Sequence, residues 1–386
     1  MNQMYRKLFY SGIILLSIFE VLNVFFIMPM PGSQQIKSIN FAYFLYSHRW
    51  IFRVLSGFMI AAGSISAFSI KKKWIPSLCL LAAIAITYLF NFQMTAERMF
   101  RQPGKLIFKT ATENRLNLNS IVIGVENEGQ VKGYPIQFLV YHHQIQDTVG
   151  RKPLIVTYCS VCRTGRVYEP VVKGHPEKFR LVGMDHYNAM FEDETTKSWW
   201  RQVSGEAITG PMKGEALKEV ESMQLTVKKL FEIYPEALIM QEDDASKLKY
   251  DSLRKFEQGY SKGSLTRTDS ISWNKKSWVI GITIDSLSKV YDWNRLKEKH
   301  IINDFIGHRP IFIVLSTDEK SFSAFERPVS TEEFSIKSDT LYSNGGSYDF
   351  SGHSLDRPSQ WLKKINAYQE FWHSWKTFHP NTLQYQ

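Results

Sequence analysis

Three long apolar runs open the chain, and beyond them the pattern changes character. Leu8–Met28 is nearly continuous in apolar residues, broken by Glu20 and Asn23 and closed by Pro29, Pro31 and Gly32. Ile51–Ile70 and Trp74–Phe92 are two further runs, each near the roughly 20 residues that cross a bilayer as a helix. No small-residue cleavage site follows the first run, so it reads as a span and not as a secretion signal. Three transmembrane helices are expected within residues 1–96. Further on, apolar residues come in short bursts. Pro153–Tyr158 and Pro310–Leu315, rich in Val and Ile, read as buried strands. Ile136–Gln146 and Asn294–Asn303 read as short helices or helical turns, and Thr226–Tyr234 and Tyr368–Phe378 as aromatic-bearing helices. "GPMKG" and "SNGGS" mark bends between later strands.

These bursts recur. Displacing Gly124–Val172 by 157 residues lays it on Gly281–Val329 without a gap, matching Gly124 with Gly281, Tyr134 with Tyr291, His143 with His300, Asp147 with Asp304 and Gly150 with Gly307. "SGEAI" and "LFEIYPEALIM" find later parallels in "SGHSL" and "WKTFHPNTLQY". A period this long excludes a solenoid and implies a duplicated domain. The expected fold is α+β and β-rich, with two related lobes after the membrane segment. The first lobe would span 97–241, a polar connection 242–268, and the second lobe 269–386.

Charge refines the membrane reading. The formal net charge is +10, but residues 1–101 hold ten Lys/Arg against Glu20 and Glu97, leaving 37 basic and 35 acidic residues elsewhere. So even a balance lacks the concentrated positive field that nucleic acid requires, and the expected partner is the lipid bilayer. Arg6 and Lys7 before the first run, and Lys71–Lys73 between the second and third, belong on the cytoplasmic side by the positive-inside rule. The main domain is then extracytoplasmic, with the bacterial inner membrane the expected location. Glu20 within a span is expected to pair with Arg53 or an interhelical donor. Cys79, in the third run, reads as a small apolar residue.

The chemistry concentrates in "IVTYCSVCRTG". Cys159 and Cys162 stand at the end of a strand, and the repeat places Ser316 and Glu319 at their equivalents, so the framework can form without the thiols. The C-x-x-C spacing lets two sulfurs converge on one metal or on each other. Candidate third and fourth ligands are His142, His143 and His186, the last flanked by Met184 and Met190. Thiolate with imidazole suits copper or zinc, copper being favoured by the thioethers and the oxidising compartment. Thiol–disulfide exchange is the alternative, helped by Arg163 but lacking the helix N-terminus that often stabilises a thiolate. A local disulfide or inert pair, adding little stability across so short a loop, is the third. His143 recurs as His300 and can be a packing or capping group, whereas His142 is replaced by Lys299. The Trp residues read as core, and Glu192–Glu194 as a solvated acidic turn.

"HHQIQD", "VTYCSVCRTG", "SWWRQVSGEAITGPMKG" and "FWHSWKTFHPNT" together resemble a bacterial and archaeal domain-of-unknown-function family, number 3179, from about Ile121 to the C-terminus. Its pattern falls on His142, Asp147, Cys159, Cys162, Trp200, Gly205 and Glu206; Ser160 and Val161 replace its Pro-Leu, Arg163 a small residue and Gln146 an Asn. The resemblance implies a site and no reaction. The leading expectation is a membrane-anchored extracytoplasmic protein binding copper or zinc, with a possible redox role, through Cys159, Cys162, His142, His143 and His186. Asp147, Arg163, Trp200 and Glu206 would support that site. No nucleotide cofactor is expected. Thiol–disulfide oxidoreduction and a non-catalytic envelope module binding a small ligand or partner are the alternatives.

Overall fold

The computed structural model describes residues 2–386. The chain is α+β, with strands in several sheets, and it divides into two compact units. The first comprises Met1–Arg101 together with Phe179–Arg201 and Glu206–Ala216; the second takes Gln102–Lys178, Gln202–Gly205 and Leu217–Gln386. Two segments inside the expected first lobe thus belong to the unit that carries the apolar helices.

In the first unit three helices, Gln3–Phe25, Arg49–Phe68 and Trp74–Gln93, are long and apolar enough to cross a membrane. Helix is the form that satisfies every backbone group without water. Small residues let these helices touch. A Cβ on Gly63 would lie 2.4 Å from the carbonyl of Tyr5, and one on Gly12 2.9 Å from Met59 Cβ. The buried Glu20 carboxylate is matched as its position demands: Arg53 Nε donates to Oε1 at 2.8 Å, and Arg53 Nη2 and Asn91 Nδ2 donate to Oε2 at 3.0 and 2.8 Å. Cys79 packs half-buried beside Phe9 and Ala83.

A four-stranded antiparallel sheet of Phe179–Asp185, Asn188–Asp193, Trp199–Arg201 and Ala207–Thr209 completes this unit. Met184 N donates to Ile27 O at 2.7 Å, and Tyr43 meets Trp199 edge-on at 5.1 Å. The acidic run here is no solvated turn. Glu192 and Asp193 are buried, accepting the indole N–H groups of Trp199 and Trp200 at 2.9 Å each.

In the second unit two sets of elements follow one order at one spacing. The first set is strands Ile121–Asn127 and Gln130–Pro135, helix Ile136–His142, then strands Gln144–Val149, Lys152–Cys159 and Thr164–Tyr168. The second is strands Trp278–Ile284 and Leu287–Asp292, helix Trp293–Lys299, then strands Ile301–Ile306, Arg309–Leu315 and Phe322–Glu326. Both helices stop at a left-handed histidine, His143 at φ 62° and His300 at φ 59°. That stop turns Gln144–Gln146, expected to be helical, into strand. Both sets also carry the same polar lock. Asp147 accepts from Tyr134 Oη at 2.8 Å and Lys132 Nζ at 2.9 Å, and Asp304 from Tyr291 Oη at 2.9 Å and Lys289 Nζ at 2.6 Å.

The sets interleave. An eight-stranded sheet contains the first set's opening hairpin and the second set's three closing strands, joined through Met223–Thr226. The second set's hairpin pairs instead with Ala367–Phe371 and Leu383–Gln384. Ala367–Phe371 is therefore strand, and only Trp372–Phe378 of the expected closing helix is helical. A buried ion pair, Arg166 Nη2 to Glu370 Oε1 at 2.6 Å, ties this closing strand to the strand that follows the cysteines. The 242–268 connection contains a helix, Lys247–Glu257, whose Tyr250 and Phe256 enter the core beside Phe138 and Tyr158.

Equivalent glycines in the two sets face different crowding. A Cβ on Gly281 would sit 2.2 Å from the ring of the buried Trp375, whereas on Gly124 it would meet the flexible tip of Leu230 at 3.2 Å. Gly281→Ala is expected to cost about 1–3 kcal/mol and Gly124→Ala distinctly less. Denaturant midpoints of the two variants check this, and equal losses would contradict it.

Candidate functional site

The cysteines are placed by strand pairing. Lys152–Cys159 is the middle strand of a three-stranded sheet, between Gln144–Val149 and Thr164–Tyr168, with Cys159 opposite Thr164. Ser160–Arg163 is the intervening turn, closed by Arg163 in the left-handed region at φ 56°. No helix begins at Cys162. The returning strand comes so close to the hairpin beneath it that a Cβ on Gly165 would fall 2.9 Å from Ile123 Cδ1.

In the second set the corresponding turn is held by hydrogen bonds. The Asp318 carboxylate accepts from Lys320 N at 2.9 Å, Ser321 N at 2.8 Å, Ser321 Oγ at 2.6 Å and Thr226 Oγ1 at 2.9 Å. Ser316, at the place of Cys159, donates to Asp339 at 2.9 Å. The turn can thus close without sulfur.

Around the cysteine turn everything is dry. Cys159 and Cys162 are both 0% exposed. Buried carbonyls need donors, and these come from far along the chain. Phe371 N donates to Cys162 O at 2.8 Å. Lys276 Nζ donates to Val161 O at 2.8 Å and Leu265 O at 2.5 Å, and lies 3.1 Å from His373 Nε2, itself 3.1 Å from Val161 O. Burial pushes the Lys276 ammonium down to about 8, while Cys162 and Cys159 act to raise it. Burial and then the Lys276 charge lower His373 to about 4, so its imidazole is neutral at pH 7.

The Arg163 guanidinium turns to other work. It donates to Phe256 O at 2.9 Å, Glu257 O at 2.8 Å and Gln369 Oε1 at 3.2 Å, and stacks 3.7 Å from the Trp278 ring centre. It anchors the end of the Lys247–Glu257 helix, whereas Lys276 is the cation that reaches the carbonyl of Val161, between the two cysteines.

With that geometry in view, comparison with protein families is informative. The family model for DUF3179, a protein family of unknown function, matches residues 105–382. The chain belongs to the DUF3179 family. Curated proteins and solved structures give no match.

Within the DUF3179 region each expected ligand has its own surroundings. His142 is fully buried, with Nε2 2.5 Å from Tyr250 Oη and its carbonyl accepting from Gln102 Nε2 at 3.3 Å. His143 caps its helix, and its carbonyl accepts from Tyr158 N at 2.9 Å; burial lowers its imidazole to about 4. His186 belongs to the other compact unit, at the turn after Phe179–Asp185, with Nδ1 2.8 Å from Asp185 Oδ1. Trp200 and Glu206 are also in that unit, Glu206 3.7 Å from Arg201. Asp147 is engaged by Lys132 and Tyr134. Among the described residues no group of three or more His, Cys, Asp or Glu is arranged to hold a metal ion.

The residues that do meet the DUF3179 cysteine turn are Lys276 and His373. Neither was singled out from the sequence. The one available signal was His373 inside "FWHSW", a motif of the family resemblance read only as an aromatic helix. Arg163→Lys keeps the charge and loses the planar fork that reaches three acceptors. It is expected to cost at least about 2 kcal/mol and to speed alkylation of Cys159 and Cys162 in the native protein. Thermal unfolding and a timed maleimide reaction check both; unchanged stability would remove the anchoring role.

Proposed function

We propose that this DUF3179 protein is a membrane-anchored thiol–disulfide oxidoreductase whose domain faces the extracytoplasmic side, with Cys159 and Cys162 as its reactive pair. One observation carries the reading: the Lys276 ammonium donates to Val161 O at 2.8 Å, within the Cys159–Cys162 turn, whose two sulfurs are fully buried. A cation beside a thiol favours the thiolate, the form that attacks disulfides. Lys276 supplies what a helix N-terminus often provides in such sites. The basic residues Arg6, Lys7 and Lys71–Lys73 support an outward domain, where disulfides persist.

The reaction balances within the pair. One cysteine thiolate attacks a sulfur of the substrate disulfide, forming a mixed disulfide and releasing one substrate thiolate. The second cysteine thiolate then attacks the cysteine sulfur of that mixed disulfide, closing Cys159–Cys162 and releasing the other substrate thiolate. Two electrons pass to the substrate, and the two cysteine protons end on its thiols. Because both sulfurs are covered, the substrate reaches them when the cover that includes Lys276 moves aside.

Two measurements test this. Oxidation of the full-length protein is expected to remove two thiols, restored by reductant, at a potential above about −300 mV. Cys159→Ser is expected to trap a mixed disulfide or lose exchange. Stoichiometric copper or zinc that disappears in the Cys159→Ser, Cys162→Ser variant would instead overturn exchange in favour of metal binding. The second measurement concerns pH. Lys276 is charged below about 8 and loses its charge as pH rises through that value. Iodoacetamide is therefore expected to react with wild type at least about tenfold faster than with Lys276→Met at pH 7, the gap closing above pH 8. A gap that stays constant with pH would show that the lysine charge plays no part.

A further inference from the structure

A second site lies apart from the thiols. A cleft of about 390 Å³ opens where the residues before strand Ile121–Asn127 meet the end of helix Lys247–Glu257. That volume suits a small molecule. Its lining is polar and carries both signs of charge. Arg115, Arg254 and Lys320 are the cations, and Glu242 and Glu257 the anions.

Much of this charge is unspent. Arg254 has only an exposed pairing with Asp251 at 3.1 Å, and Lys320 donates to a carbonyl, Asn119 O, at 3.0 Å. The Arg115 and Glu242 side chains have no ion pair among the described residues. Glu257 is buried at 6% exposure, and its carboxylate accepts one hydrogen bond, from Ile121 N at 2.9 Å. Burial raises it to about 7, against the Ile121 N–H and the charges of Lys320, Arg163 and Arg254. A buried carboxylate in that condition gains from an incoming cationic donor. The exposed guanidinium at Arg115 suits a carboxylate, for which its planar fork is the better receptor. Neither a simple anion nor a simple cation uses both.

We infer that this cleft binds a small zwitterion, an α-amino acid or its close analogue, with the carboxylate toward Arg115 and the ammonium toward Glu257. The site needs neither sulfur, although Arg163 beside Cys162 holds the Glu257 carbonyl, and its occupant is distinguished by needing both charges at once.

The test uses full-length protein in detergent. An equimolar mixture of the standard L-α-amino acids at millimolar concentration is expected to raise the melting temperature, and single amino acids then identify the binder. The decarboxylated amine and the 2-hydroxy acid made from that binder are each expected to bind at least about tenfold more weakly, about 1.4 kcal/mol. Arg115→Ala, at an exposed position, and Glu257→Gln, which keeps an acceptor for Ile121 N, are each expected to weaken the amino acid by a similar factor. The Cys159→Ser, Cys162→Ser variant is expected to bind normally, which separates this site from the proposed exchange reaction. No shift with the mixture, equal binding of either one-charge analogue, or full affinity in either cleft variant would overturn the inference.

Discussion

Burying the Cys159–Arg163 turn strips water from its carbonyls, and the arrangement around it follows from how those groups are satisfied. An unmet buried carbonyl costs as much as a lost hydrogen bond. Val161 O and Cys162 O are met by Lys276, His373 and Phe371. These donors require the Ala367–Phe371 strand to lie along the strand after the cysteines, where Arg166 and Glu370 pin it. They also require Lys276 to be carried inward just before the second set's first strand. One dry turn thus fixes the relation between the two sets of elements.

The comparison of the two turns separates framework from chemistry. Strand, turn and returning strand recur with the same left-handed histidine upstream and the same Tyr–Lys–Asp lock. In the second set Asp318 and Asp339 close the turn through hydrogen bonds to neighbouring hydroxyl and amide groups. In the first set the equivalent position holds two sulfurs, weak hydrogen-bond partners, with a lysine brought close at the expense of its own protonation.

What could be read from the sequence was whatever is local in the chain. Twenty-residue apolar runs and the strand ending at Cys159 depend on composition and short spacing, and the pairing of Glu20 with Arg53 on the rarity of charge within such runs. The 157-residue offset also set Ser316 and Glu319 opposite the two cysteines. Lys276 and His373 were not legible, because more than a hundred residues separate them from Cys162 and only the interleaving of the sheets joins them. The surroundings of His142 and His143 likewise depend on more than their place in the sequence. Both histidines are close in sequence to the cysteine strand, but the helix directs His142 to Tyr250 and the left-handed cap fixes His143. Glu192 and Asp193 looked solvated because an acidic triplet usually is; two tryptophan N–H groups reverse that preference.

On the proposed exchange reaction, electron transfer at the cysteine pair is bound to proton transfer at Lys276. A thiolate formed there would offset part of the Lys276 ammonium's desolvation, and the ammonium part of the thiolate's. On the proposed cycle, forming the Cys159–Cys162 disulfide removes that negative charge and leaves Lys276 desolvated beside a neutral sulfur pair and the neutral imidazole of His373. Its affinity for a proton then falls below the value of about 8 that holds with the thiols present. Oxidation would therefore release a proton from the lysine or loosen its hold on Val161 O. Either response weakens the contact that covers the turn, so the oxidised pair is the form more readily uncovered to a reductant, and reduction restores the charge that draws the cover back.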